Sequence, residues 1–194
     1  MANSNKLEGK DLITIGIYTA LYFVIVLAVA MLGLIPIFLV LLAVLIPLLA
    51  AIPFTMFLTK VRKPGMIFIM SIIMGIAMIL TGMGFYPLIL SVFTGLAAEA
   101  IWRGGNYTSA KRIVPTYAVF GLWIWGNYLP YFLDRDNYIA ARTSYGDAYW
   151  TALQTLMPTE MLFVLLVACA VCGAIGGLYA KKVLAKKLAA SGIN

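Results

Sequence analysis

From Leu12 to Leu34, and again from Ile37 to Thr59, the chain carries no charged side chain. At 1.5 Å of helical rise per residue, each run is long enough to cross a hydrocarbon layer of ~30 Å. Uncharged apolar stretches of this length fix the class, an integral membrane protein. The composition agrees, with 63% hydrophobic and only 11% charged residues and a mean hydropathy of +1.00, far above the apolar share of an ordinary globular domain.

Turn signals divide the rest of the chain. Apolar segments follow at Met66 to Met83, Phe85 to Trp102, Ile113 to Leu133, and Ala152 to Lys182. The expectation is an all-α integral membrane protein, a bundle of six transmembrane helices forming a single substrate-binding domain over residues 1–194. The first run is too long for the apolar part of a secretory signal peptide, and Ala28-Val29-Ala30 leads into more apolar sequence, so it reads as a spanning helix. Pro47 and Pro53 each remove a backbone donor from the second segment and predict a bend there. Asp134 to Trp150 reads as the only long polar loop, with Pro158 and Glu160 in the first turns of the sixth helix.

Charge sets the expected orientation. Lys6, Lys10, Lys60, Arg62, Lys63, Arg103, Lys111, Arg112, Lys181, Lys182, Lys186 and Lys187 all fall on one side of a six-span arrangement. Arg135 and Arg142 fall on the other, with Asp134, Asp136 and Asp147. By the positive-inside bias both termini are cytoplasmic, the long loop faces outward, and the chain is a multi-pass protein of the cell membrane surrounded by lipid. The net charge of +7 is a topology signal rather than a nucleic-acid surface, because the basic residues sit in short clusters between apolar runs.

The chain has no histidine. Histidine-ligated metals, Ser-His hydrolysis and imidazole proton relays are therefore excluded. Carboxylates are few and scattered, and no glycine-rich phosphate loop is present, so no catalytic constellation, metal site or cofactor is expected. Cys169 and Cys172 lie inside an apolar helix, where a thiol is a poor nucleophile.

Recognition groups concentrate between Gly121 and Tyr138, in the sequence GLWIWGNYLPYFLDRDNY. Aromatic rings with polar tips gather at membrane-water boundaries and in small-molecule pockets. Trp123, Asn127 and Tyr131 are four apart and share a helix face. With Tyr86, Tyr128, Asp134 and Glu160 they form the candidate substrate-binding set, suited to a ring-bearing, partly polar small molecule; an interfacial aromatic belt is the alternative. Glu99 and Arg103 are expected as an i,i+4 pair or a snorkelling anchor, with proton-coupled transport as the sharper reading. Gly16 and Ala20 on the first helix, and Cys169, Gly173 and Gly177 on the sixth, form stripes of small residues that let another helix approach closely, within the bundle or from a partner.

The chain resembles the substrate-binding S components of energy-coupling factor (ECF) transporters, within them the MptD or Trep_Strep type. The resemblance rests on Asp11 to Phe23 (DLITIGIYTALYF), Ile52 to Val61 (IPFTMFLTKV), Gly82 to Pro87, and Tyr117 to Phe120 with the aromatic run that follows. It implies a six-helix protein that binds a vitamin, vitamin precursor or related micronutrient from outside. It also implies docking on a transmembrane coupling subunit that carries two ATPase subunits. The family's Ala-x-x-x-Ala docking motif on the first helix corresponds here to Gly16 and Ala20, and the glycine keeps that face small. A non-catalytic membrane scaffold, or a membrane-embedded enzyme, are the competing readings.

Overall fold

The computed structural model describes residues 6–193. Helix α1 (Gly9–Ala30) starts where the Glu8 amide donates to the Asp11 carboxylate at 2.8 Å, and it ends in a 3₁₀ turn, Met31–Leu34. Pro36 opens α2 (Pro36–Leu49) at a position where its missing N–H is not needed. Helix α3 (Ala51–Lys60) continues the same rod after a break at Ala50. Pro47 cannot donate to the Ala43 carbonyl, nor Pro53 to that of Leu49, so the bend expected from sequence falls between the two prolines. Then come α4 (Met66–Leu80), α5 (Tyr86–Arg103), α6 (Ile113–Phe120), a 3₁₀ stretch Gly121–Asn127, α7 (Leu129–Leu133), α8 (Arg135–Ala140), α9 (Asp147–Leu156), α10 (Met161–Val183) and α11 (Ala185–Ala190). No strand occurs among the described residues. Three helical stretches, Gly9–Leu34, Pro36–Lys60 and Met161–Val183, are long and apolar enough to cross a membrane, and α4 is a shorter apolar helix.

The structure departs from the sequence expectation in the last two segments. The fifth is not one α-helix but α6, the 3₁₀ stretch and α7 in succession. The polar loop is largely folded, as α8, a 3₁₀ turn Thr143–Tyr145 and the start of α9. Pro158 and Glu160 lie in the turn between α9 and α10, not within a helix, because the proline lacks the N–H that would extend α9.

Helix α1 packs on α2, α3 and α4; α4 on α5; α5 on α6 and the 3₁₀ stretch; α6 on α10; and α10 on α2 and α3. These neighbours close a ring. Aromatic side chains plug its middle, with ring centroids 4.4 Å apart for Phe54 and Phe120, 5.1 Å for Phe54 and Tyr117, and 5.5 Å for Tyr22 and Phe120. A Cβ on Gly173 would stand 3.1 Å from Ala118 Cα, and one on Gly176 only 2.5 Å from the Pro47 carbonyl oxygen. The small residues of α10 thus let its backbone lie directly on α6 and on the α2–α3 bend, which is the packing role within the bundle.

One end of the ring holds the basic turns. Lys63 Nζ lies 2.7 Å from Asp11 and 3.2 Å from Glu8, and the hydrogen bond to Asp11 chiefly holds the ammonium above the usual lysine range. Arg62 donates to the Ser191 carbonyl, tying in the C-terminal segment. Glu99 accepts from the backbone amides of Gly65 at 3.0 Å and Ile67 at 2.8 Å and from the Tyr107 hydroxyl at 2.9 Å. The carboxylate therefore caps the N-terminus of α4, where orphan amides and the helix dipole favour a negative charge. The expected pair with Arg103 does not form; Lys63 pairs instead with Asp11 and Glu8, and Lys10 with Glu8.

Candidate functional site

At the opposite end the ring is hollow. The cavity has about 100 Å³ of free volume and lies between α1, α2, the 3₁₀ stretch, α7, and a roof made by α8 and α9. Its polar framework comes from tyrosines that satisfy backbone carbonyls. The Tyr128 hydroxyl donates to the Leu39 carbonyl at 3.0 Å, and Tyr149 to that of Gly33 at 2.6 Å. Below them Tyr117 donates to the Pro47 carbonyl at 2.7 Å, beside the α2–α3 bend. Trp123 Nε1 donates to the Tyr22 hydroxyl at 3.3 Å, which joins the cavity wall to the aromatic plug. The Gly33 and Pro47 carbonyls, at the α1–α2 turn and the α2–α3 bend, each gain a side-chain donor in this way.

The roof is aromatic. Tyr138 meets Tyr131 edge-on at 5.9 Å and Trp150 at 6.0 Å. The Arg142 guanidinium lies 3.9 Å above the Tyr138 ring, and it donates to the Tyr138 carbonyl at 3.2 Å and to the Gly82 carbonyl at 2.8 Å. The roof is thus fastened to the α4–α5 turn through Arg142 and to the α1–α2 turn through Tyr149. Burial pushes the phenols of Tyr138 and Tyr149 above the ordinary tyrosine range, so both remain neutral at physiological pH.

Three buried polar atoms of lining residues have no hydrogen-bond partner: Asn127 Oδ1, the Tyr131 hydroxyl and Trp150 Nε1. Folded proteins leave few such groups, and each costs about 1–3 kcal/mol of lost hydration. Three further unpartnered atoms, on Thr55, Trp102 and Thr116, belong to residues away from this cavity.

Of the residues singled out from sequence, Trp123, Asn127, Tyr128 and Tyr131 line this cavity together. Tyr86, Asp134 and Glu160 do not. Tyr86 is exposed at the start of α5, Asp134 is exposed and accepts from Asn137 Nδ2 at 3.0 Å, and Glu160 is exposed before α10. Arg142, Tyr145 and Tyr149 were not in the candidate set. The signal for them was present: Tyr138, Tyr145, Tyr149 and Trp150 are too many rings for a solvated loop, and Tyr149, Trp150 and Leu153 form one buried face of α9. Gly16 and Ala20 lie on the outer face of α1, where a Cβ on Gly16 would meet nothing within 4 Å.

The described residues form an all-helical membrane protein, with apolar helices long enough to span a bilayer arranged around a roofed aromatic cavity. The family model Trep_Strep, described as hypothetical bacterial integral membrane protein, matches residues 9–189, and the chain belongs to this family. No curated protein and no solved structure matches it.

Proposed function

We propose that the protein is the substrate-binding subunit, the S component, of an ECF-type importer. It captures a vitamin, vitamin precursor or related micronutrient from the outside and performs no reaction of its own. Transport follows from docking on a transmembrane coupling subunit with two ATPases. The observation that carries this reading is the roofed cavity with its three unpartnered polar atoms. Orientation supports it as well. The end opposite the cavity carries the basic turns around Lys60, Arg62, Lys63 and Arg112, and the positive-inside bias puts that end in the cytoplasm and the cavity outside. The outward-facing Gly16 and Ala20 supply a flat strip of α1 on which a coupling subunit can pack closely.

A scaffold would use the α1 strip equally well but has no use for the cavity. The test is mass spectrometry of small molecules released by denaturing the purified protein, with uptake assays on Trp123→Ala and Asn127→Ala. A stoichiometric micronutrient and loss of uptake in both variants support the S component. An empty protein points to the scaffold, and normal uptake in both variants refutes this cavity as the binding site.

A further inference from the structure

Resting on that reading, we infer that the cargo is a ring compound, uncharged or anionic at neutral pH, that presents an N–H or O–H donor and a hydrogen-bond acceptor to the cavity wall. The donor requirement comes from Asn127. Its Nδ2 donates to the Ile124 carbonyl at 3.0 Å. A carbonyl only accepts, so the amide cannot be flipped, and Oδ1 is the atom left unpartnered. A donor on the cargo would satisfy this acceptor. The acceptor requirement comes from Trp150, whose buried Nε1 is an N–H with no acceptor. The Tyr131 hydroxyl, also unpartnered, serves as either. A purely hydrocarbon ring would leave all three groups desolvated and unpaired.

The charge limit comes from the rest of the wall. Aromatic boxes are natural hosts for cations, but this one already contains its cation. Arg142 is the only ionised residue among those lining the cavity, and no carboxylate lines it. Arg142 covers the Tyr138 ring at 3.9 Å, and Arg135 stands 4.7 Å from the Tyr131 ring centroid. A cationic cargo would meet like charge and no counter-ion, whereas an anion would meet a guanidinium and indole and phenol donors. Two of the lining tyrosines, Tyr131 and Tyr138, already carry one of the protein's own arginines on the ring.

The test starts from protein purified in mild detergent from its native host. The small molecule released on denaturation is identified by mass spectrometry and titrated into ligand-free protein by tryptophan fluorescence. Asn127→Leu and Trp150→Phe are titrated beside it, the second of which keeps an aromatic ring while deleting the indole N–H together with part of the ring's area. Melting curves confirm that each variant is folded. The expected result is a neutral or anionic ring with both hydrogen-bonding functions, bound about tenfold more weakly by each variant. A molecule that is a cation, or that lacks any N–H or O–H, overturns the inference and leaves the transport reading standing, as does unchanged affinity in both folded variants. A protein that releases no stoichiometric molecule removes the transport reading and this inference together.

Discussion

Replacing Glu99 with Gln separates a structural carboxylate from one that carries protons. In the native protein one carboxylate oxygen accepts from the Gly65 amide at 3.0 Å and the Tyr107 hydroxyl at 2.9 Å, and the other from the Ile67 amide at 2.8 Å. Glutamine keeps one acceptor oxygen. If that oxygen retains the first pair, the new NH₂ faces the Ile67 N–H, donor against donor, and Ile67 is fully buried. The loss is one charge-assisted hydrogen bond of about 1.5–3 kcal/mol, plus about 0.3–1 kcal/mol from the negative charge at the start of α4. Because Glu99 is only partly buried, the expected destabilisation is about 2 kcal/mol, toward the lower end of that sum. Tyr107→Phe should cost less, about 1 kcal/mol, because the carboxylate keeps both amides. Arg103→Ala should change stability by less than about 0.5 kcal/mol, since its guanidinium is not paired with Glu99. Unfolding in mixed micelles with a denaturing detergent gives the three values. Substrate affinity, with the cavity at the other end, should be unchanged. A Glu99→Gln protein as stable as the native one, whose uptake has lost its pH dependence, would refute the capping argument and restore the proton-coupled reading.

The glycines give opposite expectations. Gly176→Ala drives a Cβ to 2.5 Å from the Pro47 carbonyl oxygen and 3.2 Å from Leu48 Cα. These are backbone atoms that cannot rotate away, so thermal unfolding should show a loss of about 1–3 kcal/mol. Gly16→Leu meets open space and should leave the melting midpoint unchanged, while abolishing copurification of the coupling subunit if α1 is the docking strip. The clamp on α1 should be sensitive to pH. Hydrogen bonding to Lys10, then to Lys63, holds Glu8 below its ordinary value of 4.5. Its contribution is therefore full above that value and lost as the pH falls through the lowered one. Lys63, raised above its ordinary 10.5 chiefly by Asp11, contributes fully below that value and loses its contribution as the pH rises through the raised one. Melting curves should accordingly show an acid-side decline that Glu8→Gln reduces.

Much of the architecture was legible because lipid imposes it. The apolar runs, the bend near Pro47 and Pro53, and the close-packed Gly173–Gly177 stripe all follow from local chemistry. The placing of Trp123, Asn127 and Tyr131 around one cavity also follows, since they are close in sequence and any helical winding keeps them near one another. What escaped depends on distant partners. Glu99 caps a helix whose first residues lie far upstream, and Tyr149 donates to the carbonyl of Gly33, contacts that leave no local pattern. The roof was misread because α8 and α9 are short and carry charges on their outer sides, so the segment averages to a polar loop although one face of α9 is apolar. Tyr86, Asp134 and Glu160 were grouped with the site by nearness to the same rim; the structure leaves them outside the cavity.

If the cavity takes up a cargo as proposed, the two fasteners of its roof bear on how fast it does so. The free volume of about 100 Å³ is below the ~150 Å³ of an engineered cavity that holds benzene, so a bound ring would require the cavity wall to move, and the two fasteners are the hydrogen bonds that resist movement of its roof. Lifting it parts Arg142 from the Gly82 carbonyl and Tyr149 from that of Gly33. At about 1 kcal/mol net for each bond, the two fasteners together reduce the population of the lifted form about thirtyfold relative to a roof without them. Association should then run about thirty times slower than in a protein whose roof is already free, and release should be slowed as well. Cutting one fastener, as in Tyr149→Phe, should quicken uptake of the cargo about fivefold in stopped-flow fluorescence. On the proposed reading, the same pair of bonds that slows capture would lengthen the time for which a captured molecule is held.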